Sequence, residues 1–324
     1  MAVPSGTYQT FQQIGIREDL SDEIFLISPT ETPFLTGIAK TKATNPFHEW
    51  QTDTLAAAAA NAAIDGDDAS TNTAVPTVRL RNYVQYMTKV PQVSEGAQAV
   101  NTAGRADEMD YQVMKRGKEL KLDLEFALSR NAASTAGGAA SAPTSAGVES
   151  WLSSNKTSVQ LGSGATTPGY SGTTVVAPTD SSTAGTLTEA ALRAVITACY
   201  NAGGMPDTLL TGPSTKNKIT DAFTGVATRF RDVPSGSKAQ IISGVDLYVS
   251  NFGDFKLVPS RIVRDVNILV LDMRMWKCAF LIPFTSWELA KTGASMRRQL
   301  YVAATLEASN QASSGKVTDI NPAL

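Results

Sequence analysis

The chain has 324 residues, with 28 Lys plus Arg against 30 Asp plus Glu and a formal net charge of −2. Apolar residues make up 42%, and no apolar run approaches the roughly 18 residues of a membrane helix, so the composition reads as a soluble globular chain with no membrane role. The even charge balance argues against tight electrostatic binding of nucleic acid, which needs a basic face.

Residues 1–16 are polar and unpatterned and read as an arm, with no basic start or apolar stretch to mark a secretory signal. Arg17 to Ile27 predicts a short amphipathic helix. It is ended by Ser28-Pro29, because a proline disfavours helix in the residue before it. Thr32-Pro33-Phe34-Leu35 reads as irregular. Phe47 to Leu55 reads as extended. Val78, Leu80, Val84, Tyr86 and Val90 then fall on one side of a period-2 pattern, with Arg79, Arg81, Gln85 and Lys89 on the other. These stretches flank an Ala-rich segment and the acidic turn Asp65-Gly66-Asp67-Asp68, which predicts a long exposed β excursion rather than a compact hairpin.

Residues 105–131 repeat Val113, Gly117, Leu120, Leu124, Ala127 and Leu128 at helical spacing. A helix of about 27 residues would reach about 40 Å, long enough for an architectural spine. The stretches 132–149 and 153–186 are dominated by small residues and proline and read as loop, with Val148, Trp151 and Leu152 pinning them to a core. Thr186-Leu187-Thr188-Glu189 predicts a capping box that opens a helix, whose apolar face is Leu192, Val195, Ile196, Cys199 and Tyr200 and which stops at Gly203-Gly204. A buried strand over Thr208–Thr211 and a helix from Ser214 to about Phe223 follow. Strands are expected at Val245–Ser250, Lys256–Val258, Asn267–Asp272, Trp276–Leu281, Thr285–Ala290 and Arg298–Leu306. This order implies an α+β fold with interdigitated subdomains, not a doubly wound sheet.

Catalytic and metal chemistry is poorly supplied. His48 is the one histidine, and it stands beside a proline and among aromatics in Asn45-Pro46-Phe47-His48-Glu49-Trp50. The chain has no Gly-x-Ser-x-Gly elbow, no phosphate-cradling loop and no zinc-ligand spacing. Cys199 and Cys278 are too few and too far apart for a disulfide framework, which fits a reduced, intracellular setting. Asp65, Asp67 and Asp68 open like a calcium loop, but Ala69 and Ser70 break that pattern, so a solvated turn is expected instead. No enzyme activity, cofactor or metal is expected. Charge divides along the chain: 12 basic and 17 acidic residues through Arg130, against 16 and 13 after it. Complementary halves suit head-to-tail contact between identical subunits, and ordinary scatter accounts for them equally well.

Several short blocks, in order, carry a family resemblance. They include Arg17-Glu18-Asp19-Leu20-Ser21-Asp22, Ser28-Pro29-Thr30-Glu31-Thr32-Pro33-Phe34 and His48-Glu49-Trp50-Gln51-Thr52-Asp53. They continue with Gly66-Asp67-Asp68-Ala69, Ala103-Gly104-Arg105-Ala106-Asp107-Glu108, Gly203-Gly204-Met205-Pro206-Asp207, Asn251-Phe252-Gly253 and Leu289-Ala290-Lys291-Thr292-Gly293. From residue 17 to about 320 the chain resembles the major capsid proteins of tailed bacteriophages in the subgroup typified by phage Su-ten, which have the Hong Kong 97-type fold.

The resemblance implies a layout: an N-terminal arm over 1–42, an extended loop over 43–92, and a peripheral domain over 93–185 that contains the spine helix. An axial domain over 186–280 and strands returning to the periphery over 281–324 complete it. It implies a self-assembling icosahedral shell of hexameric and pentameric capsomers around double-stranded DNA, touched nonspecifically. The partners would be a portal and separate scaffolding or decoration proteins, since no scaffolding domain precedes residue 17. The location would be the virion capsid, assembled in the host bacterial cytoplasm. Asp65, Asp67 and Asp68 become loop-tip contacts with a neighbour, with Arg79, Arg81, His48 and Trp50 as further inter-subunit candidates. The alternative is a nanocompartment shell of the same fold; a hydrolase using His48 is more remote.

Overall fold

A computed structural model of the chain describes residues 28–62, 64–66, 68, 74–100, 102, 104–160, 169–223 and 246–321. The arm over 1–16 and the helix expected over Arg17–Ile27 lie outside the described residues.

The first structural layer is a sheet in the order β1 (Ala39–Lys42), β13 (Trp276–Glu288), β14 (Ser295–Ala308), β4 (Gln85–Lys89), with β5 (Gln92–Ser94) pairing the start of β14. One face of this sheet is covered by α3 (Glu108–Ser129). Leu120, Leu124 and Leu128 of the helix meet Leu300, Val302, Ala304 and Leu306 of β14 in one buried cluster. The helix is shorter at both ends than the apolar repeat suggested, and spans about 33 Å. Its start is set by Asp107, whose side chain accepts a hydrogen bond from the Asp110 amide at 2.9 Å.

The segment expected to be irregular forms a short helix, α1 (Pro33–Gly37), with Pro33 in the first turn, where no amide is needed. Glu125 of α3 completes it. This buried carboxylate accepts from the free amides of Phe34 (2.9 Å) and Leu35 (2.7 Å).

The second layer is a six-stranded sheet, β10 (Leu247–Ser250), β11 (Gly253–Pro259), β9 (Thr208–Thr211), β12 (Ile268–Leu271), β15 (Gly315–Thr318) and β6 (Asn155–Ser158). The helix α5 (Glu189–Asn201) packs on it through Leu192, Val195, Ile196 and Cys199 against Leu209, Ile268, Val270 and Val317. The helix α6 (Pro213–Phe223) adds Ile219 to the same core. Strands β9 and β12 are buried along their whole length, because Leu210, Leu269 and Leu271 point the other way, into the cluster that holds Trp151, Trp276 and the spine leucines. The two layers therefore share a core.

Several expectations shift. The cap of α5 is Thr188, which accepts from the Ala191 amide at 3.3 Å, and not Thr186. Gly203 (φ +82°) and Gly204 close the helix by donating to the carbonyls of Tyr200 and Cys199. The strands expected over Trp276–Leu281 and Thr285–Ala290 are one strand, β13, with irregular pairing near Ile282. The period-2 pattern of 78–90 breaks at Val84, whose amide leaves the ladder for the carbonyl of Pro46. Beyond the break Met87 is buried while Tyr86 and Val90 face out. β15, from the C-terminal strands, joins the second sheet by antiparallel pairing with β12, and β6, from the small-residue stretch, follows by parallel pairing with β15. The expected anchor holds: α4 (Val148–Trp151) and Leu152 are buried in the shared core.

Candidate functional site

β2 (Phe47–Thr52) and β3 (Val78–Tyr83) pair in antiparallel register from Phe47↔Tyr83 to Thr52↔Val78 and, among the described residues, join no other strand. Such a ribbon is marginal alone in water, so its base must be held. Asn82 does part of this work. Fully buried, it donates to the carbonyls of Leu306 (2.8 Å) and Ala146 (3.2 Å) and accepts from the Ala146 amide (3.0 Å). Trp50 packs beside Trp151 with ring centroids 5.3 Å apart, and Trp151 stacks on Tyr170 at 5.9 Å.

His48 reaches Glu307 of β14 through Nε2 at 2.9 Å, and Lys277 and Ser309 reach the other carboxylate oxygen at 2.9 and 3.0 Å. Burial alone would raise the Glu307 carboxyl, but the bonds from His48, Lys277 and Ser309 hold it down at about 2. His48 and Trp50, expected as contacts between subunits, thus fasten the ribbon to its own body. The imidazole meets the Glu307 carboxylate and lies 5.8 Å from the Trp50 ring, an arrangement that orients the ribbon on the body.

Arg79 and Arg81 lie two residues apart on one side of β3 and both face Glu49 of β2, each with Nε 3.7 Å from Oε1. Arg81 also lies 5.9 Å over the Phe47 ring, and its hydrogen bond with Tyr170 raises its pKa. Both arginines are therefore paired within the ribbon. At that turn Asp65 is exposed beside Gly66 (φ +83°), Asp68 is exposed, and Asp67 lies outside the described residues. Sequence reasoning missed Glu49, Asn82, Glu125 and Glu307. Only Glu49 carried a signal, as an acid across a strand pair, directly opposite Arg81 and diagonal to Arg79. Among the described residues, no group of three or more His, Cys, Asp or Glu side chains gathers as a metal would require.

A profile of the SU10 major capsid protein family matches residues 3–321. The chain belongs to that family. A curated relative, the major capsid protein of Escherichia phage Phieco32, is 35% identical over 136 residues. That match covers 42% of this chain and 38% of the relative, so the chain aligns with well under half of that protein's length. Among solved structures, the capsid of a native GTA particle matches at TM-score 0.64 and 13% identity over 94% of this chain and 96% of that one. A chain of Mycobacterium phage Adephagia matches at 0.60 and 13% over 95% and 96%. The SrpI encapsulin of Synechococcus elongatus matches at 0.58 and 10% over 100% and 98%. These likenesses show the fold, the Hong Kong 97-type capsid fold. In this family member, α3 is the long helix under the first sheet, and β2–β3 is a two-stranded ribbon outside both sheets.

Proposed function

We propose that the chain is the shell subunit of a tailed bacteriophage, assembling into hexameric and pentameric capsomers of an icosahedral capsid around double-stranded DNA. Family membership across nearly the whole chain supports this reading. The structural observation that carries it is the exposed excursion: Leu55 is 99% exposed, Ile64 79% and Val75 79%. Apolar side chains concentrated on a projection with no body beneath it mark a surface that a neighbour covers.

In this reading the arm is 1–42 and the loop 43–92. The first sheet with α3 is the peripheral unit, and the second sheet with α5 and α6 the axial unit. Extended contacts to several neighbours make the closed shell stable collectively. A portal and separate scaffolding or decoration proteins complete the particle; the major capsid proteins of phage G were solved together with decoration proteins. DNA contact is nonspecific, and assembly takes place in the host bacterial cytoplasm. No catalytic role is assigned to any residue. The encapsulin likeness over the whole chain supports a cargo-holding compartment as the second reading.

Electron microscopy and size exclusion of the purified chain test the proposal. Closed particles or capsomer rings are expected, and a species that stays monomeric under all conditions overturns it. Nucleic acid inside particles from infected cells separates a virion from a compartment holding protein cargo.

A further inference from the structure

Two polar side chains are fully buried where a core ordinarily holds apolar ones: Lys316 of β15 and Asn267, the residue before β12. The antiparallel register sets Lys316 opposite Leu269. Asn267 stands two residues before Leu269, so it shares that face of the sheet and lies diagonal to Lys316. Both side chains meet Glu149 of α4, itself 2% exposed. Lys316 Nζ donates to the Glu149 carbonyl at 2.6 Å, and Asn267 Nδ2 donates to Glu149 Oε1 at 2.5 Å. One residue thus gathers an amine with its backbone and an amide with its side chain. Arg264 fixes the same carboxylate through Nε and Nη2 and ties it to Asp180.

Neither buried group is fully satisfied. Among the described residues the Lys316 ammonium forms no ion pair, and Asn267 Oδ1 has no hydrogen-bond donor. Burying such groups is costly. Burial pushes the Lys316 amine down to about 8 against the pull of Glu149, so a sizeable share of it is unprotonated and nucleophilic near neutral pH. We infer that Lys316 and Asn267 are joined within one chain by an amide bond that the folded site makes for itself. The unprotonated Nζ attacks Cγ of Asn267, so an Nζ–Cγ bond forms and the Cγ–Nδ2 bond breaks. The Glu149 carboxylate takes one proton from Nζ and hands it to Nδ2, which leaves as ammonia. Glu149 ends as it began, and no oxidant, reductant or cofactor is consumed. The product replaces a buried amine without a counter-charge by one neutral amide. It also staples β15 to the start of β12 across the second sheet, inside a single subunit. The bond therefore stands apart from every contact between copies and does not rest on the shell reading.

The intact mass of the purified full chain, measured after denaturation, tests this. The main species should be lighter than its sequence by one ammonia. Tryptic digestion should give a branched peptide that joins the Lys316 and Asn267 segments. Asn267→Ala should restore the full mass and abolish the branch. Glu149→Gln keeps the carbonyl that holds Nζ but removes the proton carrier, so it too should yield the unjoined chain. A wild-type chain at its full sequence mass overturns the inference, and this measurement needs no variant to fold. An ammonia-light chain without the branched peptide overturns it as well. A Glu149→Gln chain joined as completely as the wild type overturns the assigned chemistry.

Discussion

The two longest antiparallel pairings in this chain share a hydrogen-bonding pattern and little else. β13–β14 lies inside a sheet, flanked by β1 and β4 and backed by α3, and β14 is buried from Val302 to Ala308. Among the described residues β2–β3 has no flanking strand, no fully buried residue on β2, and Asn82 as its one buried residue on β3. Backbone bonds suffice to make a ribbon, but burial of apolar area is what keeps a strand pair in place. The first pair obtains that burial within the chain. The second obtains it only at its base, from Trp50 on Trp151 and His48 on Glu307, and its distal half remains an open surface.

The largest break in this contrast comes from Trp151→Ala. This side chain is buried under the ribbon base and inside the shared core, so its loss should cost about 3–5 kcal/mol of stability in denaturant unfolding. It should also shift the fluorescence of Trp50 toward that of a solvated indole, since Trp50 loses its neighbour. A cost below about 1 kcal/mol would mean that the ribbon does not depend on this anchor.

A middle-sized effect follows from acid. The Glu307 carboxyl is held at about 2, below its ordinary 4.5, so its contribution is present above the unfolded value and is lost as pH falls from there toward 2. On the order of 2 kcal/mol should disappear across that window, and Glu307→Gln should flatten the loss. Glu125 works in the opposite sense. Burial raises its carboxyl despite the Leu35 and Phe34 amides, so its contribution is full below the unfolded value and declines as pH rises through the folded one. Comparing the pH dependence of unfolding in Glu307→Gln and the wild type isolates the ribbon's share.

The smallest effect is expected at Arg79, whose side chain is 65% exposed and 3.7 Å from Glu49. Arg79→Ala should change stability by less than about 0.5 kcal/mol in the same assay. A larger loss would show that the ribbon's own cross-strand charges hold it rather than its base.

Much of the fold was legible wherever one residue's neighbours lie close in sequence. The apolar repeats of α3 and α5 and the uninterrupted runs of β9 and β12 announce elements that are buried on one or both sides. The buried trio Val148, Trp151 and Leu152 stood out against the small residues around it. Elements completed by distant partners were hidden. α1 depends on a carboxylate about 90 positions away, and β15 depends on pairing with β6 and β12. The phase of 78–90 turned over at Val84 because one amide bonds Pro46 instead of the ladder, which no period analysis can register. The candidate site was half legible for the same reason. The excursion's exposure follows from its composition, while the roles of His48 and Trp50 follow from Glu307 and Trp151, far along the chain.

Both cysteines sit at full burial, Cys199 beneath α5 against the second sheet and Cys278 within β13. Burial pushes their thiols up to about 11 and about 12, so almost no thiolate exists near neutral pH. Thiols held this way resist exchange and oxidation, so a change of redox environment leaves contacts between copies of the chain free of mixed disulfides.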